Sequence, residues 1–158
     1  MSEPNQAQAT NEGGQSAFVT FSVADHYFGV PVMRVQDILT PDVIARVPLG
    51  PAEVRGLINL RGRIVTVIDI RTRLSLTDSA DAVKGPGKCV TVESEGEFYT
   101  LFVDTIGDVV SLHEDEREPN PATLDPQWRD LANGVFRVGD KLLVTLDVDR
   151  LLNIRGKA

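Results

Sequence analysis

The chain is poor in the residues that usually carry chemistry. Its 158 residues include one cysteine, two histidines and one tryptophan, and aromatic side chains make up 6%. A lone cysteine, Cys89, can form no internal disulfide and cannot build a zinc site by itself. His26 and His113 lie far apart with no ligand spacing around either, which argues against a metal centre. No apolar run approaches the roughly 18 residues that a membrane span requires. No basic cluster followed by an apolar run opens the sequence, as a secretory signal would. Basic residues are in the minority, 16 against 23 acidic, for a net charge of −7. That balance is opposite to what a general nucleic-acid binder needs to neutralise phosphates. What the chain does have is 42% hydrophobic and 25% charged residues, enough for a packed core. These features describe a cytoplasmic protein with no membrane insertion, no metal and no cofactor.

Catalytic constellations are missing as well. Gly85-Pro86-Gly87-Lys88 has the flavour of a phosphate loop but lacks the spacer, the following Ser/Thr and a helix, and reads as a turn. Cys89 has only Lys88 beside it and reads as a buried strand residue rather than a nucleophile. Asp69 and Asp147 end apolar strands at matching positions, where a carboxylate accepts backbone N–H bonds. Nothing assembles a nucleophile, a base and an oxyanion stabiliser, so the sequence does not read as an enzyme. Charge is uneven. Residues 1–74 hold seven arginines and seven acids, whereas residues 75–158 hold nine basic and sixteen acidic residues and so carry the whole excess. Arg55, Arg61, Arg63, Arg71 and Arg73 crowd one span of the neutral half. A solvated face or a docking surface of complementary charge both suit such a stripe.

After Met1, residues 2–16 contain no large apolar side chain, and residues 1–16 read as a disordered tail. From Phe18 the pattern alternates, with Val19, Phe21 and Val23 on one face of a strand. A turn at Ala24-Asp25-His26 leads to a second strand over Tyr27–Val35. Pro31 inside it predicts an edge strand or a bulge. Pro51–Arg55 suggests a helical turn closed by Gly56, and Leu57–Leu60 a short strand. Arg61-Gly62 is a turn pair. Ile64–Ile70 (IVTVIDI) is the most β-prone segment and predicts a strand buried on both faces. Asp78–Lys88 is a polar, Gly/Pro-bearing linker and the best candidate for a domain boundary.

The same grammar then repeats. A shift of 71 positions lays Val19-Thr20 on Val90-Thr91, Val35 on Ile106, and Asp37-Ile38 on Asp108-Val109. A shift of 78 lays Gly56-Leu57-Ile58 on Gly134-Val135-Phe136 and Ile68-Asp69-Ile70 on Leu146-Asp147-Val148. Agreement at Gly and Asp as well as at apolar positions points to an internal duplication. The predicted fold is mainly β: two SH3-like five-stranded β-barrels packed together, over about 17–80 and 88–152, intertwined or adjacent. Short helical turns join the strands, and a short C-terminal helix over Asp149–Ile154 closes the chain.

Val54–Arg71, which contains Asn59-Leu60-Arg61-Gly62 and an apolar strand ending in Asp69, resembles the signature of the CheW family of chemotaxis coupling proteins. So do Phe28–Ile38, Val103–Val109 and Leu142–Asp147, and the resemblance runs from about Phe18 to Leu152 within a single domain over 17–158. It implies the two-barrel fold and a non-enzymatic adaptor. Such an adaptor joins the cytoplasmic hairpin tip of chemoreceptors, the methyl-accepting chemotaxis proteins, to the regulatory domain of the histidine kinase CheA in a two-component signalling array. Other CheW-like domains are further partners of the same kind, and recruitment to membrane receptor arrays would follow. Carried over residue by residue, Arg61 matches the coupling arginine, and Asp37, usually Glu, is expected near it. Val35, Gly56 and Val109 match positions of a receptor-binding groove between the barrels, and Ile38 would add to its floor. The competing readings are a small-barrel nucleic-acid binder and a CheW-like scaffold of a receptor–kinase pathway other than chemotaxis.

Overall fold

In the computed structural model of the chain, residues 14–40, 44–45, 51–76, 87–118 and 126–153 are described. They form ten strands: β1 (Gln15–Val23), β2 (His26–Pro31), β3 (Val35–Leu39), β4 (Val54–Leu60), β5 (Arg63–Asp69), β6 (Lys88–Ser94), β7 (Glu97–Val103), β8 (Thr105–His113), β9 (Ala132–Val138) and β10 (Lys141–Leu146). Three helices of four residues each accompany them: α1 (Ile70–Arg73), α2 (Pro126–Arg129) and α3 (Val148–Leu151). The strands build two five-stranded sheets, ordered β8-β1-β2-β10-β9 and β3-β6-β7-β5-β4.

The duplication is written into this topology. Under the repeat, β6 matches β1, β7 matches β2, and β3, β4 and β5 match β8, β9 and β10. With that substitution the two sheet orders are identical. Even the single parallel pairing recurs, β2 with β10 and β5 with β7. The boundary at 78–88, however, does not separate the sheets. Each sheet takes its first hairpin from one half of the chain and its other three strands from the other half. The physical reason lies after the first hairpin. Pro31 ends β2 and a 3-10 turn at Val32–Arg34 redirects the chain to the other sheet. The expected second strand over Tyr27–Val35 is therefore two strands in two sheets. Pro31 lies at the end of a central strand rather than on an edge, where its missing N–H costs no ladder bond.

Other boundaries also move. β1 starts at Gln15 and pairs Gln15 and Ser16 with His113 and Leu112, so ordered structure begins inside the expected tail. The remainder of that tail, the 78–86 linker and Ile154 lie outside the described residues. The expected turn at Pro51–Arg55 shortens to one turn in which the Val54 N–H donates to the Pro51 carbonyl at 3.0 Å, and β4 begins at Val54 and runs through Gly56. Ile70 leaves the strand to open α1. Among the described residues the expected barrels are five-stranded sheets with one isolated bridge in each half of the chain, Ala45 with Leu57 and Arg117 with Phe136. These tie the segment after β3 to β4 and the segment after β8 to β9.

One core joins the sheets. Phe21, Val23, Phe28 and Val30 of the first sheet pack with Ile68, Val90, Val92 and Leu101 of the second, and Trp128 closes over them. Each sheet also has a smaller core on its other face. Phe18, Phe136 and Leu143 in one correspond to Cys89, Ile58 and Val65 in the other. Burial on both faces explains the near-continuous apolar runs of β1, β5 and β6. Ile64 is the exception to the expected burial of β5, at 63% exposed.

Candidate protein-docking site

The hairpin joining β4 to β5 presents Arg61. Its two-residue loop has positive φ at both positions, +56° at Arg61 and +85° at Gly62. This is the backbone twist a tight hairpin needs, and it suits Gly, Asn or Asp far better than Arg. The side chain of Asn59 accepts the Gly62 N–H at 2.8 Å and holds the loop. The Asn-Leu-Arg-Gly sequence is thus a turn that lifts one guanidinium into solvent, where Arg61 is 79% exposed. Asp37 of β3 meets it at 2.9 Å. Its other oxygen accepts the Ile38 N–H at 2.9 Å, so the carboxylate is fixed before it receives the arginine. The shorter aspartate spans the gap.

Ile38 and Val109 are the apolar members of the candidate surface, 45% and 59% exposed. They are repeat mates on the edge strands β3 and β8, one in each sheet. Three residues earlier, their neighbours Val35 and Ile106 pack against the shared core. Both edge strands therefore leave the sheet junction and then turn an apolar side chain outward. Val35 is half-buried, so it anchors β3 and offers little to a partner. Gly56 is buried, and a Cβ there would fall 2.7 Å from Ile44 Cγ2 and closer still to the Ala45 carbonyl oxygen. Its place is beneath the Ala45–Leu57 bridge, not on the surface. Of the six candidates, Asp37 and Ile38 lie on β3, Arg61 reaches Asp37 from the β4–β5 hairpin at the opposite end of the same sheet's strand order, and Val109 lies on the other sheet.

The arginine stripe resolves into separate tasks. Arg55 stacks 4.0 Å above Phe102 and pairs with Asp69 at 3.1 Å. Arg63 stacks 4.8 Å from Phe98. Arg71 pairs with Asp104 at 2.9 Å, and Arg73 donates to the Leu151 and Arg150 carbonyls at 2.7 and 3.0 Å. Four of the five are engaged within the fold and do not line a basic groove. Phe98 and Phe102 are themselves stacked on by arginines, so neither presents an open face for stacking bases.

The strand-end carboxylates cap helices. Asp69 accepts the Arg71 and Thr72 N–H groups, and Asp147 accepts that of Arg150. Cys89 is fully buried, and burial pushes its thiol up to about 11. Among the described residues no cluster of His, Cys, Asp or Glu could hold a metal ion, and no helix is long and apolar enough to cross a membrane.

Among the described residues, the large apolar side chains exposed outside the expected set are Met33, Ile64 and Leu142. Ile64 and Leu142 are repeat mates, so the duplication pairs them. An apolar residue in a β-rich run nevertheless gives no sign of which one escapes burial.

The chain is similar to known proteins over most of its length. Residues 17–155 match the model of the CheW-like domain. A chemotaxis protein CheW of Rhizobium meliloti (strain 1021) is 26% identical, over 92% of each chain. One from Treponema pallidum (strain Nichols) is 25% identical over 88% of this chain and 83% of its own. Among solved structures, the scaffolding protein TtCheW from Thermoanaerobacter tengcongensis superposes with a TM-score of 0.78 at 26% identity, covering 89% of this chain and 94% of that one. The duplicated two-sheet fold, its arginine-bearing turn and these matches place the chain in the family of CheW-like domains.

Proposed function

We propose that this protein is a non-enzymatic chemotaxis adaptor that couples chemoreceptors to the histidine kinase CheA. The match of nearly the whole folded region to a CheW-like domain carries this reading. In its finer form, the receptor's cytoplasmic hairpin tip docks along Ile38 and Val109, with Arg61 as the polar handle that fixes its register. An exposed apolar residue, Ile38, next in the chain to the aspartate that pairs with a planar charged fork suits a helical hairpin, whose anchors recur on one face and whose backbone and carboxylates accept hydrogen bonds. The regulatory domain of the kinase, and other CheW-like domains, are partners at a separate surface. The work is done at a cytoplasmic face, with recruitment to membrane arrays through the receptors.

The test is binding. A receptor hairpin fragment and the kinase regulatory domain are each titrated against the protein, with single-stranded oligonucleotide as a control. Binding of both partners at tens of micromolar or tighter is expected. Failure of both would overturn the reading. Arg61→Glu should weaken receptor binding at least tenfold while the far-UV spectrum and melting temperature stay nearly unchanged. Global unfolding of that variant would instead give Arg61 a structural role.

A further inference from the structure

The two sheets are joined by two chain crossovers, and each crossover carries one half of an ion pair. Arg34 lies in the crossover from β2 to β3. It donates to the Glu93 carbonyl of β6 at 3.0 Å and pairs at 2.5 Å with Asp149 of α3, which follows β10 of the other sheet. Ser94, at the end of β6, donates to the same carboxylate at 2.6 Å. Asp104 lies in the crossover from β7 to β8. It accepts the Ala24 N–H of the β1–β2 turn at 2.9 Å and pairs at 2.9 Å with Arg71 of α1, which follows β5 of the other sheet.

Arg71 and Asp149 are repeat mates, so the two clasps occupy matching places with opposite polarity: arginine on the crossover in one, aspartate in the other. Between them Arg73 of α1 donates to the last carbonyls of α3. Each clasp spans the junction from which β3 and β8 depart. We propose that Arg34–Asp149 and Arg71–Asp104 are positioning pairs that set the angle between the two sheets. Through it they set the placement of Ile38 relative to Val109 for a bound partner. The consequence for binding rests on the adaptor reading, whereas the consequence for geometry does not.

Two measurements separate these. In the first, spin labels on Ile64→Cys and Leu142→Cys, one exposed site per sheet, report the distance between sheets. Cys89 is fully buried, with a thiol raised to about 11 by that burial, and stays unlabelled near neutral pH. Arg34→Asp and Asp149→Arg should each shift or broaden the distance distribution. The exchanged double variant should return it toward the starting one, because the pair is restored with reversed polarity. A merely stabilising pair would lower the melting temperature without moving the distance. Distributions identical in all four proteins would overturn the proposal.

In the second, the receptor fragment is titrated against the same set. Each single reversal should weaken binding about tenfold, and the double should recover to within about threefold. If the unmodified protein binds no receptor fragment, the adaptor reading fails while the distance measurement still decides the clasp. Should either reversal fail to fold, Asp149→Asn keeps the hydrogen bond from Ser94 and removes the charge. It should broaden the distribution in the same sense, and an unchanged distribution would count against the clasp.

Discussion

Arg61 occupies a backbone conformation that its side chain does not favour. An L-residue other than Gly, Asn or Asp in the left-handed region costs about 1 kcal/mol. Nothing in the turn itself needs a guanidinium there. Arg61→Asn should therefore raise the melting temperature by about 2–4 °C in a chain of this size, measured by thermal unfolding, while receptor binding falls. The ion pair lost with it contributes little to folding, since an exposed arginine paired with a carboxylate is worth about 0–1 kcal/mol.

Gly56 behaves in the opposite way. A methyl group there meets the Ala45 carbonyl and Ile44, and the backbone bridge between Ala45 and Leu57 has no room to give. Gly56→Ala should cost on the order of 2–4 kcal/mol in a denaturant melt. Any loss of coupling in that variant follows from displacement of the segment after β3. The chemistry of both residues was legible in the sequence as a turn and a glycine. Which of them reaches solvent was not, because exposure is set by the neighbouring segment that crosses over them.

At the scale of elements, the hairpin turns were readable because their chemistry is local. Ala24-Asp25 and Arg61-Gly62 adopt positive φ at both loop positions, the geometry whose twist matches the flanking strands. The strand-end aspartates were readable for the same reason. Asp69 caps α1 through two N–H groups and also holds Arg55, whereas Asp147 caps α3 through one. Replacing a capping aspartate with alanine costs about 0.5–2 kcal/mol. Asp69→Ala should fall near the upper end of that range and Asp147→Ala near the lower, as read by equilibrium unfolding. The tryptophan supplies the signal: Trp128 is buried against Phe28, and its indole N–H donates to the Leu74 carbonyl at 2.9 Å. Strand ends were less legible. Ile70 and Val148 continue apolar runs, yet each opens a helix because the preceding aspartate captures the backbone.

For the whole molecule, the shared core makes the two sheets one folding unit, and the clasps lie around its rim. Asp149 has its carboxyl held below the ordinary carboxylate range, first by the hydrogen bond from Ser94 and then by Arg34, against partial desolvation. A lowered folded-state pKa means stability that is fully present above the unfolded-state value and lost as pH falls through the folded one. As pH falls below the ordinary carboxylate range and through that lowered value, the Arg34–Asp149 clasp should therefore open. The contribution is small because the pair is partly exposed. Melting temperatures between pH 6 and pH 3 should decline less steeply in Asp149→Asn than in the unmodified protein. Cys89 gives a check on the core itself. It should resist a thiol reagent at pH 8 in the native state and react fully once the chain is unfolded.

The sequence by itself determined the duplication, the hairpins that compose it and the turn that presents Arg61. All of these depend on side chains close together in the chain, or on a pattern repeated along it. Tertiary structure alone decided that each sheet exchanges its hairpin with the other. The two sheet orders are equivalent under the repeat, so every strand finds the same kind of neighbour in either arrangement, and local preference cannot choose between them. What chooses is the turn at Val32–Arg34 and its counterpart at Asp104, where the chain crosses from one sheet to the other and opposite charges from distant helices meet it. That crossing also divides the candidate docking residues between two sheets, which no spacing along the chain could have revealed.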